Sequence, residues 1–136
     1  MAEIKALLVD DEESFRNALG KRLTRRGMTV AQAGSGEEAL ERLEAFQPDV
    51  ILLDVKMPGM DGLTALHKIK EAQPLVEVVM LTGHASMEIA IRGMELGAFD
   101  YLMKPVEFEE LLYKLEDASN RKRHHEERIA ARSHSS

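Results

Sequence analysis

Five times along this chain a short apolar run gives way to a longer stretch with helical spacing, and that repetition leaves few folds open. The clearest run is Val50-Ile51-Leu52-Leu53, four apolar residues without alternation. It is too short for a helix and half β-branched, which predicts a strand buried on both faces. Ile4–Val9, Met28–Ala33, Val76–Leu81 and Phe99–Met103 predict four more strands. Between them, Phe15, Ala18, Leu19 and Leu23 fall on one face of a helix over Ser14–Arg26, with Gly27 as its stop. Ser35 and Glu38 form a capping-box pair ahead of Ala39, Leu40, Leu43 and Phe46, and Pro48 ends that helix. Leu63, Leu66 and Ile69 mark a third helix. Ile89, Ala90 and Met94 mark a fourth, opened by Ser86 and closed by Gly97. Phe108, Leu111, Leu112 and Leu115 mark a fifth. Five βα units in a row predict an α/β fold with a parallel five-stranded sheet covered by helices on both faces.

The 136 residues suit one domain that buries roughly 68–70% of its unfolded surface. Without cysteine the chain has no disulfide framework, thiolate metal site or cysteine nucleophile. With no Trp and 4% aromatic residues, a stacking surface for single-stranded nucleic acid is not expected. Arg121, Lys122, Arg123, Arg128 and Arg132 stand against Glu126 and Glu127 in the tail, a net +3, which leaves residues 1–120 at −9 of the total −6. An acidic body of this kind disfavours nucleic acid and favours a cation. There is no leader-like start and no apolar run near the roughly 18 residues of a membrane span, so a cytoplasmic protein is expected. Past Ala118 the apolar stripe stops. Residues 119–136 are expected to be a solvated, basic helical extension that frays toward its end, with Asp117 and Arg121 as an i,i+4 pair.

The strand ends carry the chemistry. Asp10 and Asp11 follow the first strand, Asp54 the third, Thr82 the fourth and Lys104 the fifth. In a parallel sheet all of them reach the carboxyl edge, where open α/β sheets bind ligands. Each close pair of carboxylates repels by about 4 kcal/mol at an effective dielectric near 20, so ionising three there calls for a cation. Carboxylates without Cys or a His partner suit a hard ion such as Mg²⁺. Lys104 adds a fixed positive charge and Thr82 a hydroxyl, the groups needed to stabilise a transferring phosphoryl group. Asp54 becomes a nucleophile candidate.

This pattern, with Met57-Pro58-Gly59-Met60-Asp61-Gly62 just beyond Asp54 and Lys104-Pro105 after the fifth strand, resembles the receiver domain of two-component response regulators. The resemblance covers about residues 4–118 and implies a flavodoxin-like sheet of order 2-1-3-4-5. It implies a receiver domain over 1–118, with Asp54 accepting a phosphoryl group from a sensor histidine kinase or a histidine phosphotransfer protein. Asp11 and Asp54 would hold Mg²⁺, helped by the Lys56 backbone carbonyl and by Asp10, partly through water. Lys104 would pair with the phosphoryl group, Thr82 would hydrogen-bond it, and Tyr101 would be the switch aromatic that turns inward as Thr82 shifts. The Lys104-Pro105 bond would be cis. Lys56 and His84 occupy positions bordering the attacking water's path and would slow acyl-phosphate hydrolysis. The output would be binding and not catalysis, through the surface of the fourth helix, fifth strand and fifth helix. Its partner would be a downstream protein, an output domain or a second copy in a phosphorylation-dependent homodimer.

Two other readings use the same residues. Gly34-Ser35-Gly36-Glu37-Glu38-Ala39 fits the G-x-G-x-x-A dinucleotide fingerprint between a strand and a helix, but Glu37 and Glu38 put negative charge where a pyrophosphate would sit. A receiver-like module that binds partners without phosphorylation would share the fold. The bland reading of Asp10 and Asp11 as a helix cap explains neither Asp54 nor Lys104.

Overall fold

The structure, a computed structural model, describes residues 3–55, 61–83 and 87–134. The alternation predicted from sequence is present: β1 (Lys5–Val9), α1 (Glu13–Arg25), β2 (Thr29–Ala33), α2 (Gly36–Phe46), β3 (Val50–Leu53), α3 (Gly62–Ala72), β4 (Glu77–Thr82), α4 (Met87–Glu95), β5 (Asp100–Met103) and α5 (Phe108–His134). The strands form one parallel sheet of order β2-β1-β3-β4-β5. This is the flavodoxin-like order.

The period of two in each strand divides the core. Leu7, Val9, Ile51, Leu53, Val78 and Met80 face Ala39 and Leu43 of α2 and Ala65, Leu66 and Ile69 of α3. Their neighbours Ala6, Leu8, Val50, Leu52, Val79 and Leu81 face Leu19 and Leu23 of α1 and Leu111, Leu112, Leu115 and Ala118 of α5. Burying each large aliphatic side chain contributes about 1.5–3 kcal/mol. The sheet is therefore held from both sides, and its register is fixed because a one-residue slip would exchange the two sets. Val9 pairs with Leu53, Leu53 with Met80, and Thr82 with Met103, so the strands end level at the carboxyl edge.

Gly27 and Gly97 take positive φ, 93° and 102°, as the stops of α1 and α4. The capping box of α2 is one residue wider than expected. Ser35 Oγ accepts from the Glu38 amide at 3.1 Å, but Glu38 Oε1 reaches back to the Gly34 amide at 2.6 Å. That bond and Arg42 hold the Glu38 pKa below its ordinary value. The carboxylate thereby occupies an amide that a pyrophosphate would need, which argues against the dinucleotide reading.

The fifth helix departs most from the sequence expectation. It runs without a break through residue 118, and Ser119 is fully buried. Beyond it the basic residues meet acids at the amino edge of the sheet. Arg121, expected to pair with Asp117, instead places Nε 3.2 Å from Glu77, whose side chain is only 7% exposed. Lys122 and Arg123 lie 3.4 and 3.5 Å from the Asp49 carboxylate, and Arg123 also donates to the Glu3 carbonyl at 2.8 Å. A nearly buried carboxylate such as Glu77 is costly without a cation, and α5 supplies one. Truncation after residue 118 is therefore expected to lower Tm by about 5 °C or more, whereas truncation after residue 124 retains most of it. Equal melting of the two shortened chains in calorimetry would count against this docking.

Candidate functional site

The strand ends bring the predicted residues together because backbone bonds continue the ladder one step past the strands. The Asp10 amide donates to the Ala33 carbonyl at 3.2 Å, the Asp54 amide to Val9 at 2.9 Å and the Lys104 amide to Thr82 at 2.9 Å. Asp10 and Asp54 are buried, and Asp11 is exposed at the mouth. One carboxylate oxygen of each lies within 4.8 Å of the others. Lys104 Nζ donates to Asp10 Oδ2 at 2.8 Å, approaches Glu12 Oε1 at 3.4 Å and stands 3.9 Å from Asp54 Oδ2. Thr82 is fully buried at the end of β4. The Lys104-Pro105 peptide bond is cis.

Among the described residues, the Lys104 ammonium lies within 4 Å of three carboxylates, those of Asp10, Glu12 and Asp54. Burial pulls the Lys104 pKa down, but the hydrogen bond to Asp10 and the charges of Asp10 and Asp54 outweigh it, and the net shift is upward from 10.5. Lys104 is thus charged at neutral pH. The stability its pairs contribute is present below the ordinary lysine value and is lost only as pH climbs through the higher folded value. The oxygen donors of Asp10, Asp11 and Asp54, with no sulfur or imidazole among the described residues of the cluster, suit a hard divalent ion.

Tyr101 is half-buried and packs against the core formed with α2 and α3. Its hydroxyl is buried without a hydrogen-bond partner among the described residues. Lys56 and His84, with Met57, Pro58, Gly59, Met60 and Ser86, lie outside the described residues. Gly62 answers to a close approach. A Cβ there would overlap the Val55 Cα and come 2.7 Å from the Asp54 carbonyl oxygen, while the Gly62 amide donates to Val55 at 3.0 Å.

Two residues of the site were not singled out by sequence. Arg16 Nη1 donates to the Asp10 carbonyl at 2.5 Å and its Nε to Gln32 Oε1 at 3.1 Å, so it braces the backbone under Asp10. Glu12 donates its amide to Asp10 Oδ1 at 2.9 Å and turns its carboxylate to Lys104. For Arg16 the only signal is a cation one helical turn into α1, which any surface helix also offers.

The protein-family model described as the response regulator receiver domain matches residues 6–116. The chain is 42% identical over 105 residues to the DNA-binding transcriptional regulator NtrC of Klebsiella pneumoniae, covering 77% of this chain and 22% of that protein. It is 40% identical over 115 residues to the transcriptional regulatory protein ZraR of Escherichia coli (strain K12), covering 85% of this chain and 26% of that protein. A CheY-like response regulator receiver domain protein from Methanospirillum hungatei JF-1 superposes with a TM-score of 0.87 at 29% identity, covering 91% of this chain and 99% of that one. The chain spans about a quarter of the length of the NtrC and ZraR relatives.

Calorimetric titration with Mg²⁺ tests the donor set. Asp11→Asn is expected to weaken binding by about tenfold or more, and Lys104→Ala to strengthen it by roughly tenfold, because the competing ammonium is gone. Unchanged affinity in both variants would exclude this edge as the cation site.

Proposed function

The chain belongs to the response regulator receiver domain family, and on that premise we propose that Asp54 is its phosphoacceptor and that Asp10, Asp11 and Asp54, with the Lys56 carbonyl, hold Mg²⁺. The observation that carries the proposal is the meeting of Asp10, Asp11 and Asp54 with Lys104 at one edge of the sheet, Asp54 being buried next to two further carboxylates and 3.9 Å from the ammonium. A bound Mg²⁺ supplies positive charge for the phosphoryl oxygens. An Asp54 carboxylate oxygen bonds to phosphorus as the phosphorus–nitrogen bond of a donor phosphohistidine breaks, and the electron pair stays on the imidazole.

The rest of the switch follows from charge. Lys104 exchanges Asp10 for the new phosphoryl oxygens, and its amide is tied to the Thr82 carbonyl, so the ends of β4 and β5 respond together. The Thr82 hydroxyl donates to the phosphoryl group. Tyr101 is the proposed switch aromatic. A buried hydroxyl without a partner costs about 1–3 kcal/mol, so its position is one that a modest change can exchange for another. The output is binding on the face of α4, β5 and α5, where Met87, Ile91, Met94, Met103 and Tyr113 are exposed. The chain is altered once per phosphoryl group and is a switch, not an enzyme.

Upstream we assign a sensor histidine kinase or histidine phosphotransfer protein. Downstream we assign a protein target, an output domain or a second copy of the chain. Lys56 and His84 are proposed to set the acyl-phosphate lifetime. The cytoplasmic setting rests on the family's role alone. The folded unit is proposed to reach about residue 123, with the remainder of α5 as the helical extension.

Intact mass after incubation with acetyl phosphate and Mg²⁺ tests the central step. A single phosphoryl adduct is expected on the wild type and none on Asp54→Asn or with EDTA. An adduct that survives Asp54→Asn would overturn the assignment. No adduct from either acetyl phosphate or a phosphorylated histidine donor would favour a phosphorylation-independent binding module.

A further inference from the structure

Lys104 is held on two sides. Its ammonium meets Asp10, Glu12 and Asp54 on one flank, and on the other it lies over the ring of Phe15, 4.3 Å from the centroid. The Lys104 side chain is only 19% exposed, so this contact is largely shielded from water. Phe15 comes from the first turns of α1, three residues after Glu12, so one side of that helix presents both groups to the same cation. The ring also packs against the core between the sheet, α1 and α5. With Lys104, Pro105, Val106 and Phe108 it lines an apolar groove of about 440 Å³.

We propose that Phe15 is a positioning residue for Lys104, its ring face fixing the ammonium where it can pass from Asp10 to the phosphoryl group on Asp54. The inference rests on the proposed function of Asp54 and adds a residue to it. An ammonium within 4 Å of three carboxylates has competing partners. Attraction to the negative face of an aromatic ring selects among them without neutralising the charge. The ring also keeps water off one flank, and the remaining charge interactions then act in a lower dielectric. A leucine at 15 would fill much of the same space but offer no ring face.

Two readouts test this. The first is NMR of the Lys104 side chain in the unphosphorylated protein. Its ε-methylene protons are expected to be shifted upfield by the Phe15 ring current, a shift lost in Phe15→Leu and kept in Phe15→Tyr. This needs no phosphorylation, so it stands apart from the fate of the Asp54 assignment. The second is the rate of adduct formation from acetyl phosphate at saturating Mg²⁺. Phe15→Leu is expected to slow it by about fivefold, the equivalent of roughly 1 kcal/mol, with the half-saturating Mg²⁺ unchanged and with Phe15→Tyr within about twofold of wild type. In a Lys104→Ala background Phe15→Leu is expected to have no further effect. Absence of the ring-current shift would overturn the contact. Equal rates for Leu and Phe at position 15, or a rate loss that persists in full without Lys104, would overturn the role. If the wild type forms no adduct under any donor, the Asp54 reading fails while the spectroscopic result still decides the contact.

Discussion

The ion pair between Lys104 and Asp10 is what makes the carboxyl edge of this sheet tenable. Register brings Asp10 and Asp54 side by side, because Val9 and Leu53 are paired one step earlier. Two buried carboxylates, with Asp11 and Glu12 at the rim, would repel one another unless a cation intervened. Lys104 intervenes at 2.8 Å from Asp10 and 3.9 Å from Asp54. The oxygen donors of Asp10, Asp11 and Asp54 gathered beside it are of the kind that suits a hard cation.

The amino edge solves the mirror problem by different means. Asp49 and Glu77 begin or precede β3 and β4 and are mostly buried, with side chains 14% and 7% exposed. Their cations come from the far part of α5, with Lys70 adding a further approach to Glu77 at 3.6 Å. This edge is closed within the chain. The two ends of the sheet thus draw their cations from different elements: α5 and Lys70 at the amino edge and, among the described residues, Lys104 at the carboxyl edge.

That difference also explains which parts were legible in the sequence. Strands announce themselves by unbroken apolar runs, and a parallel sheet converts the residue after each run into a shared edge, so Asp10, Asp54, Thr82 and Lys104 could be grouped without coordinates. The docking of Arg121, Lys122 and Arg123 could not. Their partners lie 44 to 74 positions earlier, and a charged helix face looks the same whether it meets water or a distant carboxylate. Arg16 and Phe15 were hidden for a related reason. Arg16 carries no sequence signal beyond its charge, and Phe15 reads as an ordinary member of an apolar stripe, because periodicity reports which way a residue faces and not which strand end it meets.

The construction of α4 bears on how little free energy a switch would need. Of its described residues only Gly93 is fully buried, and a Cβ at that position would run into the end of the Met80 side chain. Met87 and Ile91 meanwhile stay more than half exposed. A helix that buries so little apolar surface is anchored weakly compared with α3, which buries Ala65, Leu66 and Ile69. Moving a two-state equilibrium from 1:99 to 99:1 takes about 5.5 kcal/mol. A unit charge 4 Å from the Lys104 ammonium contributes about 4 kcal/mol at an effective dielectric near 20, and a phosphoryl group carries more than one charge. Because Lys104 would give up Asp10 to make that contact, only the difference between the two pairings would bias α4, whose Gly93 meets the Met80 side chain of β4.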